Sequence, residues 1–332
     1  MIFAFFVLPL PIILCIYAVF MNKTVYYIVF AFVWLLSVLP LWILYRLSDG
    51  LYYIMYYVVR YRRRLVRKNL TDSFPDKAEE EIADIEKKFY SWLCDYFVET
   101  IKLLTISEKE IRRRMRFEGV ELLNKYVDCG RSCAVYLGHY CNWEWVTSLP
   151  LWTSEKAVCG QIYHVLENKY TDKLMIDVRS RLGATCIPMA ETLRQIINYR
   201  NEGKAMIIGF IADQTPFWHN IHYWTNFLNH EKTPVFTGTE RIIKKVDFAT
   251  FYLDIRCERR GCYVAEFKLL TDIPKDYVDY EITEMATKAL EQSIYRQPYL
   301  WLWTHNRWKR TYERWLEKMG DAVHRHEAEN IG

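Results

Sequence analysis

The chain has 332 residues, 52% of them hydrophobic and 25% charged, with a formal net charge of +4. That apolar share over that length supports a sizeable core and excludes a disordered chain. Only 12 residues are glycine, none in a G-x-G pair, and neither G-x-x-x-x-G-K-[ST] nor G-x-S-x-G occurs, which argues against a dinucleotide fingerprint, a Walker A loop and a nucleophile elbow.

Up to residue 45 the only charged side chain is Lys23. Two apolar runs, 1–20 and 25–45, each approach the roughly 20 residues that span a bilayer as a helix. The first lacks the basic start and A-x-A site of a secretory signal, and Pro9 and Pro11 would kink it. Met21-Asn22-Lys23 reads as an ordinary start, so residues 1–20 are expected to be an upstream extension or a dispensable span. Next come Arg60, Arg62, Arg63, Arg64, Arg67 and Lys68, six positive charges in nine residues with no acid among them. A basic cluster behind an apolar run is the positive-inside pattern and places the bulk of the chain on the cytoplasmic side. It would also attract anionic headgroups; the plainer reading is a solvated charge run. Nucleic acid is not expected, because no binding motif accompanies the basic patches. The nine cysteines form no C-x-x-C pair, so neither a zinc site nor a disulfide framework is expected.

Residues 73–105 predict a helix capped at Asp76, with an apolar stripe running from Ile82 to Ile101. From Ser132 short apolar runs alternate with helical stretches. Strands are expected at 133–137, 157–163, 184–188 and 205–211. Helices are expected at 142–152, 168–182, 191–200 and 281–296. Residues 248–255 and 262–269 read as paired strands joined at 258–261. Residues 300–319 read as helical, and the last dozen as frayed. Strands alternating with helices argue an α/β sheet flanked by helices.

Four segments carry candidate chemistry. A strand runs into Gly138-His139, which puts His139 at the C-terminal edge where α/β sheets place ligands. Glu144 follows at i+5, about 140° round a helix, so the two meet only if His139 lies outside the helix. Glu144 would then fix the imidazole tautomer and leave the other ring nitrogen as a base; the plainer reading is a core histidine satisfied by backbone. Asp213 and Gln214 end the strand at 205–211 and would face His139 if the two strands are neighbours, or else they form a turn before Pro216. Arg179 and Arg181 sit at a helix C-terminus before Gly183, where arginine suits the helix dipole or binds phosphate. Residues 297–310 join Trp301, Trp303 and Trp308 to basic residues, as at a membrane interface or on a helix packed against the sheet.

Taken in order, these segments resemble the lipid A late acyltransferase family, within the H-x4-D/E glycerolipid acyltransferase superfamily. The residues that carry the resemblance run from Tyr61-Arg62-Arg63-Arg64 to Asn69-Leu70, then Ser73-Phe74-Pro75 and Gly138-His139 through Glu144. Arg179 to Gly183, Ala212-Asp213-Gln214, Phe227 to His230 and Trp301 to Lys309 continue it. The resemblance implies a central mixed β-sheet flanked by helices, with a transmembrane or membrane-anchoring helix at the N-terminus. It implies an anchor over 1–58, an acyltransferase domain over 59–320 and a tail over 321–332. It also implies transfer of a fatty acyl chain from acyl carrier protein to a hydroxyl of a lipid A precursor, at the cytoplasmic face of the inner membrane. His139 maps to the general base and Glu144 to its acidic partner. Arg179, or Arg181 in its place, and Asp213 map to supporting residues, with Gln214 beside Asp213. No metal and no cofactor is expected, since attack on a thioester needs a base and oxyanion donors. The same motifs would serve another lipid acceptor, such as a lysophospholipid, aminolipid or glycolipid. A non-catalytic lipid-binding protein would have no need for both His139 and Glu144. A hydrolase would need a nucleophile, for which Cys141 is the nearest candidate.

Overall fold

The computed structural model describes residues 23–329, so the first apolar run, residues 1–20, lies outside the described residues. The second run does not form one long helix. It is divided into α1 (Lys23–Val38) and α2 (Leu41–Tyr53), and α2 passes into a short widened helical turn, Ile54–Val59. The axes bend by 117° at the break. Pro40 explains it: proline offers no amide to the preceding turn and pushes residue 39 out of helical geometry. Among the described residues no single helix is long and apolar enough to cross a membrane; in place of the expected transmembrane or membrane-anchoring helix stands this bent pair, which meets that test of length and composition only as two helices together. Leu41 and Leu44 join the same hydrophobic core as the sheet. The face α1 and α2 leave outward is apolar and aromatic, with Phe32, Leu35 and Trp42 more than half exposed.

The expected helix over 73–105 is interrupted near its start. α3 (Arg63–Ser73) ends first, and α4 (Glu79–Lys102) begins at Ala78, whose amide donates to Glu81 rather than leaving the cap to Asp76. α4 buries Phe89, Leu93, Tyr96 and Glu99 and carries α2 on its outer side. The basic run at 112–114 closes α5 (Glu108–Arg114).

Seven of the described strands form one mixed sheet in the order β1-β9-β8-β2-β5-β3-β4. β2 (Cys133–Leu137), β3 (Ala157–Tyr163), β4 (Thr185–Pro188), β5 (Ala205–Ile211) and β8 (Ala249–Arg259) run parallel. β9 (Cys262–Thr271) returns antiparallel to β8, and β1 (Met115–Glu118) follows β9. The predicted strands are therefore present, in an α/β fold with a central mixed sheet flanked by helices. β2 is buried along its whole length and β5 nearly so, as central strands covered on both faces must be. Among the flanking helices, α6 (Val120–Asp128), α7 (Lys169–Ser180), α8 (Thr192–Asn201), α9 (Gly238–Val246) and α10 (Glu281–Arg296) connect or cover strands. A hairpin of β6 (Trp224–Phe227) and β7 (His230–Pro234) lies apart from the sheet. Residues 301–311 are not the start of a helix. α11 (Tyr312–Glu329) begins later than expected and runs through the stretch read as frayed.

Candidate active site

Strand register builds the centre of the site. Leu137 at the end of β2 is the partner of Ile211 at the end of β5. Two residues further along each chain stand His139 and Asp213, so two neighbouring parallel strands deliver them side by side. The amide of His139 donates to Asp213 Oδ2 at 2.9 Å, and its Nδ1 lies 2.7 Å from Oδ1. Trp301 Nε1 donates to Oδ2 at 2.8 Å. Gly138 makes this approach possible: a Cβ there would lie 2.8 Å from Leu290 and 3.3 Å from Asp213 Oδ2. Burial alone would raise the Asp213 carboxyl, but the charge and hydrogen bonds of His139 and the Trp301 donor outweigh it, holding the group down at about 2. The side chain of His139 is 10% exposed. With Nδ1–H committed to Asp213, Nε2 is the ring nitrogen left for a substrate proton. The Gln214 amide nitrogen stands 3.4 Å from that atom.

Glu144 is placed differently from the expectation. Residues 142–144 are turn, and the helix expected from 142 is a tight 3₁₀ stretch over Trp145–Leu151. Arg179 Nε donates to Glu144 Oε2 at 2.9 Å and Nη2 to Oε1 at 2.5 Å, while the Tyr96 hydroxyl donates to Oε1 at 3.2 Å. The Glu144 carboxylate is therefore clamped by a two-pronged guanidinium, and the hydrogen-bond partner of His139 is Asp213. Burial pushes the Glu144 carboxyl upward, yet the Arg179 charge and hydrogen bonds prevail and hold it below the usual carboxylate range. Trp143 lies between: its ring meets His139 edge-on at 5.3 Å and stacks on Tyr96 at 4.2 Å.

Arg179 stands in the last turn of α7, whose first turn is capped by Asn168 Oδ1 accepting from Tyr170 and Thr171. Arg181 points elsewhere and donates to the carbonyls of Leu103 and Ile106, just beyond the end of α4. Of the two arginines left open by the sequence, Arg179 is the one at the site. Cys141 is fully buried, its thiol pushed well above the ordinary value by that burial, so it has the opposite of a nucleophilic environment. Among the described residues there is no cluster that would hold a metal ion.

The segment at 297–310, read either as a membrane interface or as a helix packed against the sheet, is irregular over 301–311 and forms the floor of the site. Trp301 and Trp303 are buried, the Cys141 amide donates to the Leu300 carbonyl, and the Leu302 amide donates to the His139 carbonyl. The basic cluster is also partly internal. Arg63 and Arg67 both pair with Glu86, Arg62 donates to the Thr304 carbonyl, and Asn69 donates to the carbonyls of Trp303 and His305. α3 thus holds the floor in place, while Arg60 and Arg64 remain exposed. Trp301 and Tyr96 are the contributors that the sequence did not single out for the site: Trp301 lay within a motif read for its surface, and Tyr96 within a stripe read as core.

A sequence model of the bacterial lipid A biosynthesis acyltransferases matches residues 18–310. No curated protein matches the chain. The family match covers most of the chain, and the chain belongs to that family, the acyltransferases of lipid A biosynthesis.

Proposed function

We propose that this member of the lipid A acyltransferases moves a fatty acyl chain from the thioester of acyl carrier protein to a hydroxyl of a lipid A precursor, with His139 as general base. The observation that carries this reading is the His139–Asp213 pair at the C-terminal ends of two adjacent parallel strands. Nε2 of His139 takes the proton of the acceptor hydroxyl as its oxygen attacks the thioester carbonyl carbon. The carbon–sulfur bond then breaks, and the departing thiolate recovers the proton from the imidazolium. Asp213 holds the ring by Nδ1 and stabilises the imidazolium. Glu144, fixed by Arg179, acts one step away by keeping Trp143 and the turn that carries His139 in place.

The reading extends to location. The bent pair α1–α2 presents its apolar outer face beside the exposed Arg60 and Arg64, which suits a helix pair seated in the cytoplasmic face of an inner membrane. Replacing Arg60 and Arg64 with Gln should weaken recovery on vesicles containing anionic lipid by about 1 kcal/mol per charge at moderate salt. Unchanged recovery would remove the lipid-surface role.

The central test is lipid mass spectrometry on reactions of the purified chain with acylated carrier protein and a lipid A precursor. One added acyl chain is expected with wild type and none with His139→Ala. Transfer at the wild-type rate by that variant would overturn the mechanism. Transfer to a phospholipid or aminolipid instead would overturn the acceptor.

A further inference from the structure

Arg307 differs from the other buried charges of the site. It is 2% exposed. Nη2 donates to the Pro234 carbonyl at 2.7 Å, but Nε and Nη1 are buried without a hydrogen-bond partner. The carboxylate whose field reaches it is Asp213, and both Asp213 oxygens are already committed to His139 and Trp301. Burial pushes the guanidinium down to about 10, which still leaves it charged at neutral pH. A buried donor without an acceptor is costly in the free protein, and it is a reason to look for a ligand atom that completes it.

The surroundings say what kind. Arg307 lines a small pocket between the sheet and α10. Leu137, Phe227, Val235, Phe236, Ala286 and Leu290 make its walls largely apolar, and Asp213 stands at its polar side. A phosphate dianion would want several cations and access to water. One guanidinium among hydrocarbon instead matches a single oxygen acceptor joined to methylenes.

We propose that this pocket takes the oxygen-bearing end of an acyl group, with Arg307 donating through Nε or Nη1 to its carbonyl or carboxylate oxygen. The oxygen belongs either to the acyl thioester or to a free fatty acid; the first source rests on the acyl-transfer reading, and the second does not. Arg307 is then a substrate-binding residue distinct from the His139–Asp213 pair.

Calorimetry with decanoate and decanol as probes tests this on the full chain. Wild type should bind decanoate about tenfold or more tightly than decanol, the worth of a charge-assisted hydrogen bond. Arg307→Met should erase that preference, and Arg307→Lys should keep part of it. Equal binding of the two probes by wild type, or a preference kept in Arg307→Met, would overturn the proposal. Thermal melting separates this from misfolding: Arg307→Met gives up the Nη2 bond to the Pro234 carbonyl but also removes two buried donors that have no acceptor in the free protein, so it should melt close to wild type. The kinetic arm assigns the source. A raised donor KM with kcat held within a few-fold indicates the thioester carbonyl, and an unchanged KM indicates the free acid. His139→Ala should abolish transfer and leave the decanoate preference intact, so a failure of the reaction reading and a failure of the pocket reading are told apart.

Discussion

Two buried carboxylates flank His139, and they are employed in opposite ways. Asp213 faces the imidazole, a group that gains and loses a proton during the proposed reaction. Glu144 faces Arg179, a group that stays charged throughout. Both are held below the ordinary carboxylate range, so their charge alone does not separate them. Their partners do: a carboxylate on a titrating ring tunes a base, and a carboxylate on a guanidinium holds a scaffold. The sequence motif gives Glu144 prominence because it lies in the same turn as His139. The register of β2 and β5 gives the contact to Asp213, which is 74 residues away along the chain.

Activity should part the two carboxylates most widely. Asp213→Asn keeps the shape but removes the acceptor that fixes the tautomer, and kcat should fall by about 10³- to 10⁴-fold. Glu144→Gln should cost less in kcat, about 10²-fold or below, since it acts by position alone. Steady-state kinetics of the two variants checks this. A larger loss in Glu144→Gln would mean that Glu144 reaches His139 during the reaction, and the roles would exchange.

Stability should rank them the other way. Arg179→Met leaves the Glu144 carboxylate buried without its cation and should cost about 3–5 kcal/mol in denaturant unfolding. The double variant Arg179→Met, Glu144→Gln should recover much of that, because the uncompensated charge is gone. No recovery would assign the loss to packing of the arginine stem instead.

How much of this could be read beforehand follows from the range of each interaction. The strands of the sheet were legible because central strands are continuous apolar runs, and Gly138 and His139 were legible because they end one of them. Proline at position 40 is visible in the sequence, yet the apolar run reads straight through it, so the break between α1 and α2 was missed. The hairpin β6–β7 was missed as well. Its turn places Leu228 and Asn229 at positive φ, and leucine gives no sign of that; it is held there by burial and by donation of its amide to Glu291. Closeness in sequence points to Glu144 as the carboxylate partner of His139, whereas Asp213 faces it only because β2 and β5 are neighbours, which strand order decides. Trp301 reaches Asp213 only through irregular backbone, which has no periodicity to detect.

A third carboxylate sharpens the contrast through pH. Glu99 is fully buried with no cation among its hydrogen-bond partners; it accepts from Tyr45, Asn142 and Tyr263. Burial and the nearby Asp95 raise it to about 7, against those three donors. The unfolded chain ionises this group near pH 4.3, so between about pH 4 and 7 the folded state holds the extra proton. Stability from this group is present below that window and is lost as pH rises through it, by an amount on the order of 3 kcal/mol. Asp213 acts with the opposite sign. Its folded value of about 2 lies below the unfolded value, so its contribution is present above about pH 4 and is lost as pH falls toward 2, on the order of 2 kcal/mol. Melting curves across pH should therefore show a neutral-side fall that Glu99→Gln flattens and an acid-side fall that Asp213→Asn flattens. If one variant flattened both, the two carboxylates would have to titrate as a coupled set through Asn142 and the His139 turn. The division between scaffold and base would then be one of degree.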